Sequence, residues 1–392
     1  MNTDKTENFY PVIISGGGPV GLYLGCLLHK HNIPFVILEK RKERINHSRS
    51  LGIHPVSLEL FEGLGIADRF VSRGIKIQRG LAFSDSGQIG SISFDGCPKP
   101  FNFILSLPQH ITETILEENL NSLNPDALIR GAEVTRIEER DKRVTIKVNH
   151  AGQKLSLDCR CLVGCDGKDS LVRKEAGISF KGSTYPDTYI MGDFSDNTRF
   201  ESDAAVFLPA EGLIESFPLI NRRRRWVVKT DEYIEEVNRR DLENRVAVRI
   251  GHDLSEEENF MLSSFGVQKL IARPIARKRI ALAGDSAHIV SPIGGQGMNL
   301  GWLDAAELAE HLKISLEEKN DRLLFRSLDK YARHRKNITE KVMRRAEWNM
   351  KLGRKPSIPA LRNAIVWMML KTPLQKKVAR LFTMRNLDGA LL

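Results

Sequence analysis

The stretch Arg279-Ile-Ala-Leu-Ala-Gly284-Asp285-Ser-Ala-His288, continuing Ile-Val-Ser-Pro292-Ile-Gly294-Gly295-Gln-Gly297-Met298-Asn299-Leu-Gly301, decides how the rest of the chain is read. A short apolar run stops at Gly284-Asp285, a Gly-rich loop follows, and an amphipathic helix is expected from about Met298. That order spells a buried strand, a turn that exposes backbone, and a helix N-terminus. An acid at a strand end accepts a hydrogen bond from a sugar hydroxyl. A Gly-rich loop at a helix start offers free N–H groups and the positive end of the helix dipole, about half a unit charge, to an anion. Both suit a ligand with a polyol at one end and a ring that turns negative on reduction. A reduced flavin has that chemistry.

Two other segments repeat the pattern. Pro11-Val-Ile-Ile-Ser15 reads as a buried strand running into Gly16-Gly-Gly18-Pro19-Val20-Gly21 and a helix through about Leu28; a second apolar run, Phe35-Val-Ile-Leu38, ends at Glu39. Gly16-x-Gly18-x-x-Gly21 between strand and helix, with an acid eighteen residues past the last glycine, is the dinucleotide fingerprint in its required context. The glycines let the backbone approach a pyrophosphate, and Glu39 can hold the ribose of the adenosine half. Leu162-Val-Gly-Cys165-Asp166-Gly167 is another strand ending in an acid, followed by a helix start with Ser170 or Asp169 as cap.

The fold class is therefore α/β. A Rossmann-type domain is assembled from discontinuous segments, 1–75, 104–180 and 268–345. A mainly β domain, 76–103 and 181–267, is inserted between them, and 346–392 forms a basic helical region. Gln109 opens a helix after Leu107-Pro, Pro55 sits in the first turn of another, and Val134–Val148 reads as a hairpin around Arg140-Asp-Lys142. The run Arg222-Arg-Arg-Arg225 reads as a solvated hairpin turn; the sharper alternative is a cradle for the phosphate of a nicotinamide cofactor.

A chain of 392 residues has room for two domains and a helical appendage. The net charge of +10 is concentrated in the tail, where fifteen Lys and Arg face three Asp and Glu from Arg333 onward. That tail carries no nucleic-acid recognition motif, so no nucleic-acid partner is expected. Ala364-Ile-Val-Trp367-Met-Met-Leu370 and Val378-Ala-Arg-Leu-Phe382, interleaved with lysines, read as a helical cap on the body or as a helix resting on an anionic membrane. Without an apolar leader or a stretch of about 20 apolar residues, the expected location is cytoplasmic, with peripheral membrane contact as the variant. The spacing of Cys159, Cys161 and Cys165 fits buried thiols, and no metal site is expected.

Taken in order, Gly16-x-Gly18-x-x-Gly21, Cys165-Asp166-Gly167-x-x-Ser170-x-Val-Arg173, and Gly284-Asp285-x-Ala-His288 with Pro292 and Gly295-Gln-Gly297-Met298-Asn299 resemble the class A FAD-dependent monooxygenases. This is the group of p-hydroxybenzoate hydroxylase and the ubiquinone-pathway hydroxylases. The likeness covers roughly residues 10–345. It implies that Gly16, Gly18, Pro19, Val20 and Gly21 take the FAD pyrophosphate, with Glu39 and Lys40 at the adenosine ribose. It implies cofactor contacts for Arg49 and Gln109, a backbone contact of Val134 with adenine, and a role for Asp166 and Gly167 toward FAD and the nicotinamide cofactor. Many relatives carry arginine where Gln109 stands. Asp285 matches the acid of the ribityl chain, while Pro292, Gly295, Gly297, Met298 and Asn299 match the loop beneath the flavin ring, where oxygen is activated. Pro292 and Gly295 are the loop positions nearest the chemistry, and no catalytic base can be named.

The resemblance implies an enzyme that uses FAD, NAD(P)H and O2 to hydroxylate an aromatic or other electron-rich apolar molecule through a flavin C4a-hydroperoxide. The chain has one dinucleotide fingerprint, so NAD(P)H must bind transiently over the flavin. The alternatives are a flavin-dependent reductase of isoprenoid or quinone double bonds and a non-catalytic redox-sensing flavoprotein. His54 reads either as a cavity residue or a structural one, and His288 as structural.

Overall fold

The apolar runs read from the sequence are strands of a single sheet. In the computed structural model, which describes residues 8–44, 50–318 and 320–385, Phe9–Ser15 lies between Gln153–Gly164 and Phe35–Glu39 and runs parallel to both. Leu128–Arg130 extends one side and Ile280–Leu282 the other, again in parallel. Burial is unbroken along Phe35–Glu39, as expected of a strand covered on both faces rather than one. The hairpin Ala132–Glu139 and Val144–His150 pairs antiparallel onto Gln153–Gly164.

The register carries the functional consequence. Ser15 stands opposite both Gly164 and Leu38, and Gly164 stands opposite Leu282. The strands therefore end level, and the turns after Ser15, Gly164 and Leu282 open on the same edge. In open α/β sheets that carboxyl edge is where ligands bind.

A second, eight-stranded sheet is built around two long strands, Ser179–Ser195 and Asn259–Arg273, paired from Ser179 with Arg273 to Phe194 with Asn259. Beyond Ser179–Ser195 lie Arg223–Thr230, Ile214–Leu219, Ala204–Phe207, Arg79–Ser84 and Gly87–Ser93. Side chains alternate across it, as the period of two requires. Ile214, Trp226 and Val228 pack on Leu242 and Val246 of the helix Arg239–Ile250. Met191, Leu213 and Val227 face the other way, in one apolar cluster with Met350, Val366 and Leu370 of the C-terminal helices Asp321–Gly353 and Pro359–Lys371.

Two expectations need correction. The helix of the opening stretch begins at Gln296, not about Met298, because Gly295 already serves as its N-cap residue. The arginine run is not simply a solvated turn: Arg224 and Arg225 lie in the strand Arg223–Thr230, are 0% and 4% exposed, and are ion-paired with Asp196 and Asp193. Buried cations need such partners, and both guanidinium groups are committed to the protein. Two of the three cysteines stand as read: Cys159 and Cys161 are fully buried in the strand Gln153–Gly164, and burial pushes both thiols up, whereas Cys165 is only partly buried and borders a cavity.

Candidate active site

The Gly-rich turn after the first strand has a shape that only glycine permits at two positions. Gly16 has φ +108°, and a Cβ there would lie 2.3 Å from the carbonyl oxygen of Cys165. A Cβ on Gly21 would lie 2.0 Å from the Gly16 carbonyl oxygen. The turns after Ser15 and Gly164 are thus packed backbone against backbone. Gly18, by contrast, has open space where its side chain would be, and it borders a cavity of about 1070 Å³.

That cavity runs along the carboxyl edge of the parallel sheet and onto the apolar face of the second sheet. Gly16, Gly18, Pro19, Val20, Glu39, Lys40, Gln109, Val134, Asp166, Gly167, Asp285, Pro292, Gly295, Gly297 and Met298, all expected from the sequence, line it. Gly21 does not line it, being buried in the helix–sheet contact. Asn299 does not line it either. Its amide accepts from the His54 backbone N–H and the Ser57 hydroxyl, each at 2.8 Å, and donates to the Gly52 and Gly295 carbonyls at 2.9 and 2.8 Å. Two acceptor and two donor sites are the whole capacity of an amide side chain, so Asn299 braces the loop. Arg49 falls outside the described residues.

The polar end of the cavity is prepared for a ligand it does not itself satisfy. Both helices that start there, Pro19–Lys30 and Gln296–Glu317, lack a side-chain cap at the N-terminus, leaving N–H groups and positive dipole ends for an anion. Trp302 donates from its indole to the Pro19 carbonyl at 3.0 Å and ties the two starts together. Glu39 accepts one backbone N–H on each oxygen, from Gly17 at 2.7 Å and Arg41 at 2.9 Å, with lone pairs to spare. One oxygen of Asp166 accepts from Val172 N–H at 3.1 Å, whereas the other is buried without a hydrogen-bond partner. The Asp285 carboxyl makes no hydrogen bond among the described residues. It is exposed to the cavity but enclosed by protein, so desolvation raises its pKa, with His288 and Lys168 opposing.

Beneath that turn lies a network the sequence reading missed. Asp304 is fully buried and accepts from the Gly284 N–H at 3.0 Å, His288 Nε2 at 2.5 Å and Arg335 Nε at 2.7 Å. Burial alone would raise its pKa, but His288 and Arg335 hold it below the usual range. Tyr331 donates to the Leu282 carbonyl at 2.8 Å, and Ser286 to the Gly164 carbonyl at 2.6 Å. One clue was available: an acid on the buried side of a helix otherwise lined by Leu300, Ala305 and Leu308. His288 is thereby structural. His54, 2% exposed, lies between the carbonyls of Phe382 and Gly294, at 2.7 and 3.0 Å; burial lowers its pKa to about 4. A neutral ring can donate to only one of them.

Acids with open acceptor positions along the cavity, uncapped helix starts, and a turn with room at Gly18 all fit FAD. The fold and the site define an FAD-dependent oxidoreductase. The FAD binding domain family matches residues 9–346, and the chain belongs to that family, the class A flavoprotein monooxygenases its motifs resemble. YhjG of Bacillus subtilis, described as an uncharacterized aromatic compound monooxygenase, is 33% identical over 88% of this chain and 68% of its own length. A rifampicin monooxygenase of Streptomyces venezuelae is 30% identical over 79% of this chain and 65% of its own. The chain thus spans about two thirds of the length of these curated relatives. Among solved structures, the anhydrotetracycline hydroxylase OxyS of Streptomyces rimosus superimposes with a TM-score of 0.78 at 28% identity, covering 96% of this chain and 76% of that one. The p-nitrophenol 4-monooxygenase PnpA of Pseudomonas putida shares the fold, with a TM-score of 0.87 at 23% identity over 99% of this chain and 100% of its own.

Proposed function

We propose that this protein is an FAD-dependent monooxygenase that uses NAD(P)H and O2 to hydroxylate an aromatic or other electron-rich apolar compound. The observation that carries this reading is the continuity of the cavity: its polar end meets the cofactor motifs, and its other end is an apolar chamber. Ile77, Met191, Leu213 and Phe217 of the sheets line that chamber, with Leu370 and Phe382 from the C-terminal helices. Bound FAD supplies the redox chemistry, taking electrons from NAD(P)H and delivering one oxygen atom of O2. The relatives named for rifampicin and anhydrotetracycline support a polycyclic aromatic substrate class for this chain.

The chain's residues then divide the work. Segments 1–75, 104–180 and 268–345 hold the cofactor, and 76–103 with 181–267 hold the substrate. Gly16, Gly18, Pro19 and Val20 take the pyrophosphate, Glu39 and Lys40 the ribose, and Gln109 and Val134 the adenosine side. Asp166 and Asp285 take hydroxyls of the ribityl chain and its neighbours. With FAD bound, the helix starting at Gln296 would offer its positive end to negative charge on the ring, and Pro292 and Gly295 would border the space beside it. The test is substrate-stimulated NAD(P)H oxidation with labelled dioxygen across a panel of phenols, quinols and polycyclic arenes. Label in the product is expected; turnover that yields product without O2 makes the protein a double-bond reductase instead.

A second reading concerns location. No helix among the described residues is long and apolar enough to cross a membrane. The helix Pro359–Lys371, however, leaves Leu361, Trp367 and Met368 exposed, and the next helix leaves Leu374 and Leu381 exposed beside Lys376, Lys377 and Arg380. That combination of apolar side chains and cations supports peripheral contact with an anionic membrane. Flotation with anionic vesicles tests it; recovery of all protein in the lipid-free fraction removes the idea.

A further inference from the structure

The apolar chamber contains one acid that the proposed function does not use. Glu215 lies on the strand Ile214–Leu219, between Leu213 and Phe217 on the same face, with Val206 and Val227 opposite on the flanking strands. It is 8% exposed and lines the cavity. Among the described residues its carboxyl makes no hydrogen bond and no ion pair. Burial alone pushes its pKa up to about 7. Nearly every buried carboxyl in a protein is paired, because leaving it unpaired costs its full desolvation. An acid held without a partner inside a cavity is therefore waiting for a donor that arrives from outside the chain.

The neighbouring charges do not supply that donor. Arg225 also lines the cavity, but its Nε and one terminal nitrogen donate to the two oxygens of Asp193, at 2.7 and 2.9 Å. On the same strand, the Lys229 ammonium donates to a backbone carbonyl and lies 3.9 Å from Asp187, and Asp187 is bound by Arg354 of the long helix. Arg362 of the following helix donates to the Leu208 and Pro209 carbonyls. A further polar group close to Glu215 is the Tyr189 hydroxyl. It is buried, has no hydrogen-bond partner, and is pushed up by its burial first and by Glu215 second. The Tyr189 ring stacks on Phe265, with centroids 5.3 Å apart, and Phe265 lines the cavity.

We propose that Glu215 is the specificity-determining acceptor of the substrate chamber, selecting arenes that carry a hydroxyl and orienting the ring by that hydroxyl. The chamber around it recognises flat apolar area, which any arene offers; Glu215 adds the one contact that an arene without a donor cannot make. Sites built to bond a hydroxyl discriminate strongly against analogues that lack it, because the site's own polar group is then left bare. The same bond draws the hydroxyl hydrogen toward the carboxylate and enriches the ring in electrons, which suits attack by an electrophilic oxygen.

This inference rests on the substrate lying in the chamber described above, so its test reads binding rather than turnover. The FAD-loaded protein and its Glu215→Gln and Glu215→Leu variants are titrated with 2-naphthol and with 2-methoxynaphthalene, following the flavin absorbance and the heat of binding. The native protein should prefer the naphthol at least about tenfold at pH 8, with the preference shrinking below pH 6 as Glu215 takes up its proton. Glu215→Leu should abolish the preference by weakening the naphthol and strengthening the ether, which no longer leaves a carboxyl bare, and ether binding also reports that the chamber is intact. Glu215→Gln should keep part of the preference and lose its pH dependence. Equal affinity of the native protein for the two probes, or a preference that survives Glu215→Leu, overturns the proposal. Absence of oxygen incorporation with any arene, alongside a Glu215-dependent preference, would instead refute the monooxygenase reading and leave this one standing.

Discussion

Asp304 and Glu215 are two acids buried in one protein under opposite conditions. Asp304, beneath the cofactor turn, takes a backbone N–H, a histidine and an arginine, and its pKa is held down. The carboxyl of Glu215, in the apolar chamber, bonds no described residue, and burial raises its pKa to about 7. The first stabilises the fold by completing a network; the second costs stability once it is ionised. A network that only supports a turn can be finished by the chain, whereas a surface that meets a ligand must keep acceptors open.

The contrast predicts opposite responses to removal. Asp304→Ala leaves buried Arg335 with only its longer contact to Glu307, at 3.4 Å, and should cost about 3–5 kcal/mol in urea unfolding. The stabilisation from Asp304 is present above the ordinary carboxylate range and is lost as pH falls through its depressed folded value, so the native protein should weaken at strongly acid pH. A loss below about 1 kcal/mol would mean that the network does not hold the turn.

Glu215→Gln should act in the other direction. The folded state keeps the Glu215 proton to about pH 7, whereas the unfolded chain releases it near the ordinary glutamate value of 4.5. Stability from this group is therefore full below that lower value and is lost as pH rises toward 7. The amide removes that loss, so the variant should be more stable at pH 8 by on the order of 3 kcal/mol. Parallel pH–stability curves for the two proteins would contradict the vacancy of the native carboxyl.

Asp285→Ala separates cofactor binding from folding, and its effect is smaller. A lost hydrogen bond to a charged group, about 1.5–3 kcal/mol, should weaken FAD affinity roughly 10- to 100-fold. The unfolding free energy of the FAD-free protein should change by less than about 1 kcal/mol, since no described residue bonds this carboxyl. Flavin retention after gel filtration and calorimetry check the two halves. Trp367→Glu should alter stability least, within about 0.5 kcal/mol, while reducing recovery with anionic vesicles. Unchanged flotation would place the lipid contact elsewhere.

The difference between the two regions also explains what the sequence disclosed. The turns at Gly16, Asp166 and Asp285 follow directly from strand ends, and a strand end is local information: an apolar run, a glycine, an acid. Their convergence was readable because parallel strands of one sheet end on one edge. Glu215 was not readable. Its neighbours in sequence, Leu213, Ile214 and Phe217, look like any strand, and its isolation depends on Val206, Val227 and the C-terminal helices arriving from elsewhere. Arg224 and Arg225 misled for the same reason: their partners, Asp196 and Asp193, lie about thirty residues away, so a run of cations resembled a surface. Asp304 left a faint trace, one charge on an apolar helix face, but His288 and Arg335 flank it only in three dimensions.

The level finish of Ser15, Leu38, Gly164 and Leu282 makes the parallel sheet a ruler. Adding one residue inside any of those strands would raise its turn by about 3.3 Å and swap its inward and outward side chains. Length variation among homologues should therefore gather at the opposite rim of the sheet and in the outlying hairpins, leaving the spacing from each strand to its acid untouched.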